Sequence, residues 1–259
     1  MLQFFLSSLL LLTVFVSTLA GLAQIEPVHG DVQAGVGDLP NFQKYSDPQR
    51  RKAKFLDYLR PIVTAENGKI AHQRKQLKRL VGDLSRGRRL SHERRRWLEQ
   101  MADYYDVDTD ERRPQAVGKE LLRKVDVVPV PLVLVQAAKE SAWGRSRFAR
   151  NGNNLFGQHC FSAGCGIVPK DREPGKRVQV QTFPTVRAAV KSYLHNLNSH
   201  PKYQKLRAIR ARLREKGKPV TSVALAAGLN FYSERRQDYI SEVRSMIRNN
   251  DLTKADAAN

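Results

Sequence analysis

One segment near the middle of the chain constrains its fold more than any other. Residues 131–144 read PLVLVQAAKESAWG and are apolar on nearly every face from Leu132 to Ala138. A helix that is apolar all round has to be enclosed by other elements. The segment therefore predicts the buried central helix of a mostly helical domain, starting near Pro129 and Pro131 and ending at Gly144.

Apolar residues recur at helical spacing on both sides of this segment. The spacing predicts helices over residues 50–85, 116–126, 185–200, 202–215, 220–228 and 236–249, and Pro61 should start a new helix or kink the first one. Ser91 predicts the N-cap of a further helix. Residues 177–183 alternate between apolar and polar side chains, which predicts one strand of a small hairpin. The fold class expected is mainly α with a β-flap at about residues 158–184.

The N-terminus carries a targeting signal. Residues 4–23 form an apolar run, and Gly21 and Ala23 stand at positions −3 and −1 of a cleavage site before Gln24. Residues 1–23 are thus predicted to be a signal peptide, although no Lys or Arg precedes the run. The run is also long enough for an uncleaved inner-membrane anchor. Both alternatives predict export to the periplasm or the cell envelope.

The rest of the chain divides by composition. Residues 24–48, rich in Pro and Gly, are predicted to be a flexible linker, residues 49–125 a basic helical region, residues 126–250 the catalytic domain and residues 251–259 a polar tail. Residues 41–259 hold 45 Lys and Arg against 22 Asp and Glu, a net charge of +23. Such a surface needs an anionic partner, either an envelope polymer, a membrane surface or nucleic acid. Export and the lack of a recognisable nucleic-acid motif argue against the last.

Two cysteines lie five residues apart. In an exported chain, Cys160 and Cys165 predict a disulfide that closes a short loop. The alternative is a metal site that includes His159, but the other histidines are scattered singly along the sequence. Neither a metal nor a cofactor is expected.

Glu140 is the candidate for chemistry. It is the only acidic residue between Asp126 and Asp171 and stands at the end of the apolar helix. Desolvation and the negative end of the helix dipole should raise the pKa of its carboxyl. A carboxyl that stays protonated near neutral pH can protonate a leaving oxygen, as a glycosidase requires. The competing interpretation is a solvent-facing glutamate at a helix end.

The residues that follow Glu140 form a signature. Residues 140–146 read ESAWGRS, residues 149–151 read ARN and residues 153–157 read NNLFG. This pattern resembles that of the glucosaminidase domain, glycoside hydrolase family 73, which includes the muralytic domain of flagellar FlgJ proteins. The resemblance covers about residues 50–250. It extends to the Bax group of Gram-negative bacteria, whose members share the basic helical region and the short cysteine loop.

The resemblance implies a lysozyme-like, mainly α fold with a β-lobe beside the cleft. Glu140 matches the family's catalytic acid, Ser141 the residue that helps to fix the following loop, and Trp143 the aromatic that packs beside the acid. Tyr232 matches an active-site tyrosine whose hydroxyl faces the substrate, and Tyr239 is expected in the core.

A groove for a sugar polymer needs aromatic faces for stacking and amides for hydrogen bonds. The side chains expected to bind substrate on these grounds are Trp143, Asn153, Asn154, Phe156 and Gln158. Core packing is the alternative for Trp143 and Phe156, and for Tyr232.

The partner of Glu140 is open. A glycosidase normally uses two carboxylates, and the nearby acids are Asp171 and Glu173 in the expected flap. Glu173 could act as the base of an inverting attack. The alternative, slightly favoured because both flap acids stand among Lys and Arg, is attack by the substrate's own 2-acetamido oxygen, with Tyr232 orienting that group.

Together these features predict an exported, monomeric endo-β-N-acetylglucosaminidase that acts on the glycan strands of peptidoglycan. A lytic transglycosylase or muramidase on the same substrate is the first alternative. A non-catalytic cell-wall-binding protein is the second, although a protein that only binds has no need of the acid.

Overall fold

Helices dominate the described part of the chain, residues 39–110 and 112–254 of the computed structural model. The α-helices are α1 (Pro48–Ser85), α2 (His92–Tyr104), α3 (Pro114–Lys124), α4 (Val130–Glu140), α5 (Arg147–Gly152), α6 (Val186–Ser199), α7 (Gln204–Glu215), α8 (Ser222–Leu225) and α9 (Arg236–Asn249). Short 3-10 turns cover Phe42–Lys44, Pro201–Tyr203 and Ala226–Gly228. The mainly α fold class is confirmed.

Some predicted segments lie outside the described residues. They are the signal peptide at 1–23, the first part of the linker at 24–38 and the last five residues of the polar tail, 255–259. None of the described helices is both long and apolar enough to cross a membrane.

Polar side chains start several of the helices. The Asp47 carboxylate accepts hydrogen bonds from the backbone N–H groups of Gln49 and Arg50 at the start of α1. Ser91 accepts from the N–H of Arg94 at the start of α2, which confirms the predicted N-cap. Each cap satisfies N–H groups that have no partner within the helix, so the local sequence sets where these helices begin.

The proline in α1 does not interrupt the helix. The helix runs continuously for 38 residues with Pro61 inside it, so the prediction that Pro61 starts a new helix is wrong. Pro61 is exposed. Water can therefore take the hydrogen bond that the proline withholds from the carbonyl of Asp57, which lowers the cost of the substitution in the helix.

Helix α4 is the buried centre of the fold, as predicted. All of its residues from Val130 to Ala138 are buried, and the helix packs against α1, α8 and α9. The apolar sequence is thus explained, because neighbouring helices remove each of its faces from water.

The N-terminal region shares this core. Phe55, Leu59 and Val63 of α1 are completely buried. Phe42, which falls in the expected linker, is 2% exposed and meets the ring of Phe55 edge to face at 5.4 Å. Leu39, Phe42 and Tyr45 therefore anchor this segment on the helical body, and the basic helices form one hydrophobic core with the rest of the chain.

A small antiparallel sheet forms the predicted β-lobe. Its strands are β1 (His159–Cys160), β2 (Gly166–Ile167) and β3 (Gln179–Gln181), with β3 in the middle and Val180 opposite both His159 and Ile167. A disulfide joins Cys160 and Cys165 across the connection between β1 and β2, as predicted. Strands this short need such a staple, because a lone hairpin is barely stable in water.

A buried ion cluster links α1 and α7 to the segment that follows α3. The carboxylate of Asp126, 2% exposed, lies 3.4 Å from a guanidinium nitrogen of Arg74, 3.9 Å from one of Arg210 and 3.2 Å from one of Arg214. Arg210 also donates to the carbonyl of Lys124 at 2.8 Å. These cations lie at the carbonyl end of α3, where the helix dipole favours positive charge.

Candidate active site

Glu140 is the last residue of α4 and is half-buried. Burial raises the pKa of its carboxyl above the ordinary value, while a hydrogen bond from Tyr239 and the nearby charge of Lys139 lower it, with a net increase. The expectation that this carboxyl holds its proton more tightly than an ordinary glutamate agrees with this environment.

A chain of hydrogen bonds leads through the core to this carboxyl. The Tyr193 hydroxyl donates to Oε1 of Gln136. The Gln136 amide donates to the Tyr239 hydroxyl oxygen at 3.1 Å, and the Tyr239 hydroxyl donates to Oε1 of Glu140 at 2.8 Å.

The chain has a direction. The Gln136 amide occupies one lone pair of the Tyr239 oxygen, so the single proton of Tyr239 points to Glu140. Oε1 of Glu140 is thereby an acceptor. When the carboxyl is protonated, its own proton lies on the other oxygen, Oε2.

Oε2 faces the turn that leads into the β-lobe. A Cβ atom added to Gly157 would lie 4.0 Å from this oxygen, and Gly157 has a left-handed backbone with φ of +64°. A side chain there would be strained and would occupy space beside Oε2. The glycine therefore leaves free the volume beside Oε2 that a side chain would take.

The loop after Glu140 is held in an unusual conformation. Ala142, Trp143 and Gly144 have φ values of 50°, 59° and 75°, so three residues in a row are left-handed. The Ser141 hydroxyl donates to the carbonyl of Ala137 at 2.6 Å and accepts from the N–H of Gly144 at 2.8 Å. Such a conformation persists only where its surroundings impose it. The position of Ser141 agrees with its expected role in fixing this loop.

Trp143 packs against the N-terminal helix. Its ring meets that of Phe55 edge to face at 5.8 Å, and the ammonium of Lys52 lies 5.4 Å from its centre. These contacts hold the loop from the side of α1. A contact of Trp143 with substrate stays a prediction.

The amide of Asn154 is fully used within the protein. Its Nδ2 group donates to the carbonyls of Gln158 and Gln181 at 2.9 and 2.8 Å, and its Oδ1 accepts from the N–H groups of Phe156 and Gln158 at 3.2 and 3.1 Å. Asn154 is 2% exposed. In this structure it ties the turn at 154–158 to β3, which leaves no donor or acceptor for a sugar.

The other expected groove residues also have internal partners. Asn153 donates to the carbonyl of Phe183 at 3.0 Å, and Gln158 donates to the carbonyl of Ala189 at 3.2 Å. Phe156 is 3% exposed and stacks on Tyr193 at 4.0 Å, which matches the core-packing alternative. These side chains fix the turn at 153–158 from within, and their direct contact with substrate stays a prediction.

Both tyrosines have defined partners in the structure, and the contact of Tyr232 with substrate stays a prediction. Tyr232 donates its hydroxyl to the carbonyl of Phe156 at 2.8 Å, and its ring stacks on Tyr239 at 5.3 Å. Tyr239 is 2% exposed, as expected of a core residue, yet its hydroxyl is the one that contacts Glu140. Gln136 offered a signal for this network, because it stands four residues before Glu140 on the same helix face within an apolar run.

The flap acid Glu173 lies away from these contacts. It is in the connection between β2 and β3, its side chain is 76% exposed, and its carboxylate is 3.8 Å from the ammonium of Lys176. Among the described residues no contact joins Glu173 to Glu140. Its role as a second carboxylate stays a prediction.

A charged cluster that the sequence did not reveal lies beside the acid. Glu242 of α9 forms ion pairs with both Lys139 and Arg235. The ammonium of Lys139 also lies 5.5 Å from the centre of the Tyr239 ring. Glu242 thus fixes the cation next to Glu140.

A half-buried carboxyl with a raised pKa, held by a neutral hydroxyl, suits the acid of a glycosidase-type enzyme. The sequence model of the glucosaminidase family, described as mannosyl-glycoprotein endo-beta-N-acetylglucosaminidase, matches residues 116–252. The chain belongs to this family, and the family match supports that class of enzyme. Its family implies a glycan substrate.

A curated relative extends the similarity beyond that domain. The chain is 34% identical over 212 residues to Protein bax of Escherichia coli (strain K12), an alignment that covers 82% of this chain and 74% of the relative. No solved structure matches the chain. The resemblance to the glucosaminidase domain and to the Bax group is confirmed.

Proposed function

We propose that this protein is an exported endo-β-N-acetylglucosaminidase that cleaves the β-1,4 bond after N-acetylglucosamine in peptidoglycan, with Glu140 as general acid. The observation that carries the proposal is the directed hydrogen bond from Tyr239 to Oε1 of Glu140, which leaves Oε2, the oxygen beside Gly157, to carry the proton.

The same contacts support Glu140 in both of its states, as the protonated acid and as the carboxylate left after proton transfer. Burial raises the pKa of Glu140, which favours the protonated form that a general acid needs. Oε2 then gives its proton to the glycosidic oxygen as the bond to the anomeric carbon breaks. The carboxylate left behind is stabilised by the Tyr239 hydroxyl and by the charge of Lys139.

The substrate itself supplies the nucleophile in this proposal. The oxygen of the 2-acetamido group attacks the anomeric carbon as the leaving oxygen takes the proton from Glu140, and water then opens the cyclic intermediate. The exposure of Glu173 and its pairing with Lys176 support this route over a flap carboxylate.

The net charge of +23 on residues 41–259 supports a location in the envelope. Peptide stems and other envelope polymers carry negative charge, and a basic protein is retained among them.

The test is digestion of purified sacculi with the wild-type protein and with Glu140→Gln. Soluble fragments ending in reducing N-acetylglucosamine are expected from the wild type, and none from the variant, which keeps the shape but has no proton to give. Glu234→Gln, at an exposed acid on another loop, is the matched control and should digest normally. Digestion by Glu140→Gln at the wild-type rate would refute the role of the acid.

Two further variants separate the possible nucleophiles. If Glu173→Gln loses as much activity as Glu140→Gln while Asp171→Asn does not, the flap carboxylate is the second group. If both flap variants digest normally, substrate assistance is supported.

One observation favours a second candidate, the lytic transglycosylase. Only one carboxyl among the described contacts takes part in the hydrogen-bond network at the cleft, and a single acid suffices for that reaction. Mass spectrometry of the digest distinguishes the two, because a transglycosylase leaves anhydro-muramyl ends. Sedimentation with sacculi without released fragments would instead indicate a binding protein.

A further inference from the structure

A second concave site lies at the other end of α4. It is a cleft of about 470 Å³ between α1, the segment 126–130 and α7. Val130, at the first turn of α4, lines this cleft, and Glu140 is at the last turn. At 1.5 Å per residue the two ends are about 15 Å apart along the helix, so the cleft is separate from the site of the acid.

The cleft is strongly positive. Arg74, Lys75 and Lys78 line it from α1 and Arg214 from α7, and Asp126 is the only acidic lining residue. The Asp126 carboxylate is shared by Arg74, Arg214 and the buried Arg210. Four lining cations against one anion leave a net charge of +3, and a concave wall of low dielectric constant strengthens the field of such a cluster.

Packing explains the arginines but not the lysines. Arg74 donates to the carbonyls of Leu122 and Val125, and Arg214 holds Asp126 with two nitrogens at 3.2 Å. Lys75 and Lys78 are exposed, and neither ammonium takes part in an ion pair within the described ranges. They add charge at the mouth of the cleft without contributing to the fold.

The charges that line the cleft shift the pKa of Arg74. Burial lowers the pKa of the Arg74 guanidinium, Asp126 raises it, and the like charge of Arg214 lowers it again. An anion in the cleft would relieve the repulsion among these cations.

The arrangement of the charges selects the type of anion. Arg74, Lys75 and Lys78 lie within five consecutive residues of one helix, about 6 Å of its length, and all three line the cleft. Apart from Arg214 and Asp126, the rest of the lining is neutral and includes Thr64, Gly68 and Ala71. The lining thus has a charged part and a neutral part. A ligand with one compact, highly charged group and an uncharged remainder fits this lining better than an extended polyanion does.

We propose that this cleft binds a phosphate or diphosphate ester, with the phosphate at Arg74, Lys75, Lys78 and Arg214 and the uncharged part towards Thr64. The proposal does not depend on the glycosidase function.

The test is isothermal titration of the full chain with inorganic pyrophosphate at fixed ionic strength, with sulfate as the reference anion. Lys75→Gln/Lys78→Gln should weaken pyrophosphate binding about tenfold, the effect of losing about 1.4 kcal/mol. Lys54→Gln/Lys205→Gln removes the same charge from exposed positions on α1 and α7 outside the cleft, and should weaken it less than about twofold. Thermal melts establish that all variants fold.

Two outcomes would overturn the proposal. One is pyrophosphate binding no tighter than that of sulfate, which would mean general attraction of anions. The other is equal weakening in the two double variants, which would mean that charge spread over the surface is responsible.

Two further ligands identify the source of the phosphate. Uridine diphosphate tests a soluble ester, and vesicles of phosphatidylglycerol in phosphatidylcholine test a lipid headgroup, with pure phosphatidylcholine as control. The source is the ligand that pyrophosphate displaces. Its binding should be weakened by Lys75→Gln/Lys78→Gln but not by Lys54→Gln/Lys205→Gln. Vesicle binding that falls equally in both double variants counts against the headgroup.

Discussion

The two ends of α4 each have a carboxyl at the edge of the core, and the two carboxyls have opposite surroundings. Asp126, four residues before the helix, is enclosed by the guanidinium groups of Arg74, Arg210 and Arg214. Glu140, the last residue of the helix, is bonded to the neutral hydroxyl of Tyr239. The first carboxyl holds helices together through ion pairs, whereas the second is oriented by a neutral group.

The difference shows how one fold assigns two tasks to the same chemical group. The three guanidinium partners bind the Asp126 carboxylate through ion pairs, so it becomes part of the scaffold. A hydroxyl partner orients the carboxyl but leaves burial to raise its pKa. Changes that break the ion pairs of Asp126 should therefore affect the stability of the fold. Loss of the Tyr239 hydroxyl should instead affect proton transfer by Glu140.

The largest effect is expected at the scaffold end. Asp126→Asn removes the negative charge from among three guanidiniums, one of which, that of Arg210, is 1% exposed. An unpaired buried charge costs about 3–5 kcal/mol, and urea unfolding should show a loss of that size. Asp171→Asn, at an exposed acid, is the control and should change stability by less than about 0.5 kcal/mol. A loss below about 1 kcal/mol in Asp126→Asn would contradict the scaffold role.

A smaller effect is expected at the catalytic end from Tyr239→Phe. A hydrogen bond to a charged group contributes about 1.5–3 kcal/mol, so hydrolysis of glycan strands should slow by about tenfold to a hundredfold. Because this bond lowers the pKa of Glu140, its removal should raise that pKa further. The alkaline limb of the pH–rate profile should then move to higher pH.

The pH profile distinguishes positioning from general damage to the fold. Tyr232→Phe loses a hydrogen bond to the carbonyl of Phe156, not to the acid, and should leave the alkaline limb in place. An unshifted limb in Tyr239→Phe would show that its hydroxyl does not act on Glu140.

The smallest effect is a gain in stability from Glu140→Gln. Folding raises the pKa of Glu140, so this group favours the folded state below its unfolded pKa, and that contribution is lost as the pH rises through the folded pKa. Glutamine imitates the protonated form. The variant should therefore be more stable by about 1 kcal/mol at pH 8, the usual size of such a trade-off.

Thermal melts at two pH values test this expectation. The gain should disappear below about pH 4, where the wild-type carboxyl is protonated in both states. A variant that melts below the wild type at pH 8 would show that burial of the charge costs nothing.

What the sequence could predict follows from the range of the interactions. The apolar run of α4 and the capping residue Ser91 act locally, so periodicity and residue type locate them. The bond between Glu140 and Tyr239 joins residues 99 positions apart, and no local pattern shows which tyrosine arrives there. The same holds for Asn154, whose amide is predicted to bind sugar but is used to join the turn to β3.

The N-terminal helix shows the limit of domain boundaries drawn from sequence. The predicted division at residue 126 separates α1 from α4, yet their side chains share one core. Composition distinguishes them, because α1 is basic and α4 apolar, but composition does not report which faces meet.

The contact of Phe42 and Phe55 with the loop after Glu140 bears on which part of the chain could be transferred to another protein. A Cβ on Gly144 would lie 2.6 Å from the ring of Phe42, and Phe55 packs on Trp143. The segment that defines the family begins at residue 116, so it contains neither phenylalanine. A gene fusion that moved this segment alone would carry Glu140 but not Phe42 and Phe55, the two rings that pack against the loop after Glu140. A transplanted segment that keeps these contacts would therefore have to begin before Phe42.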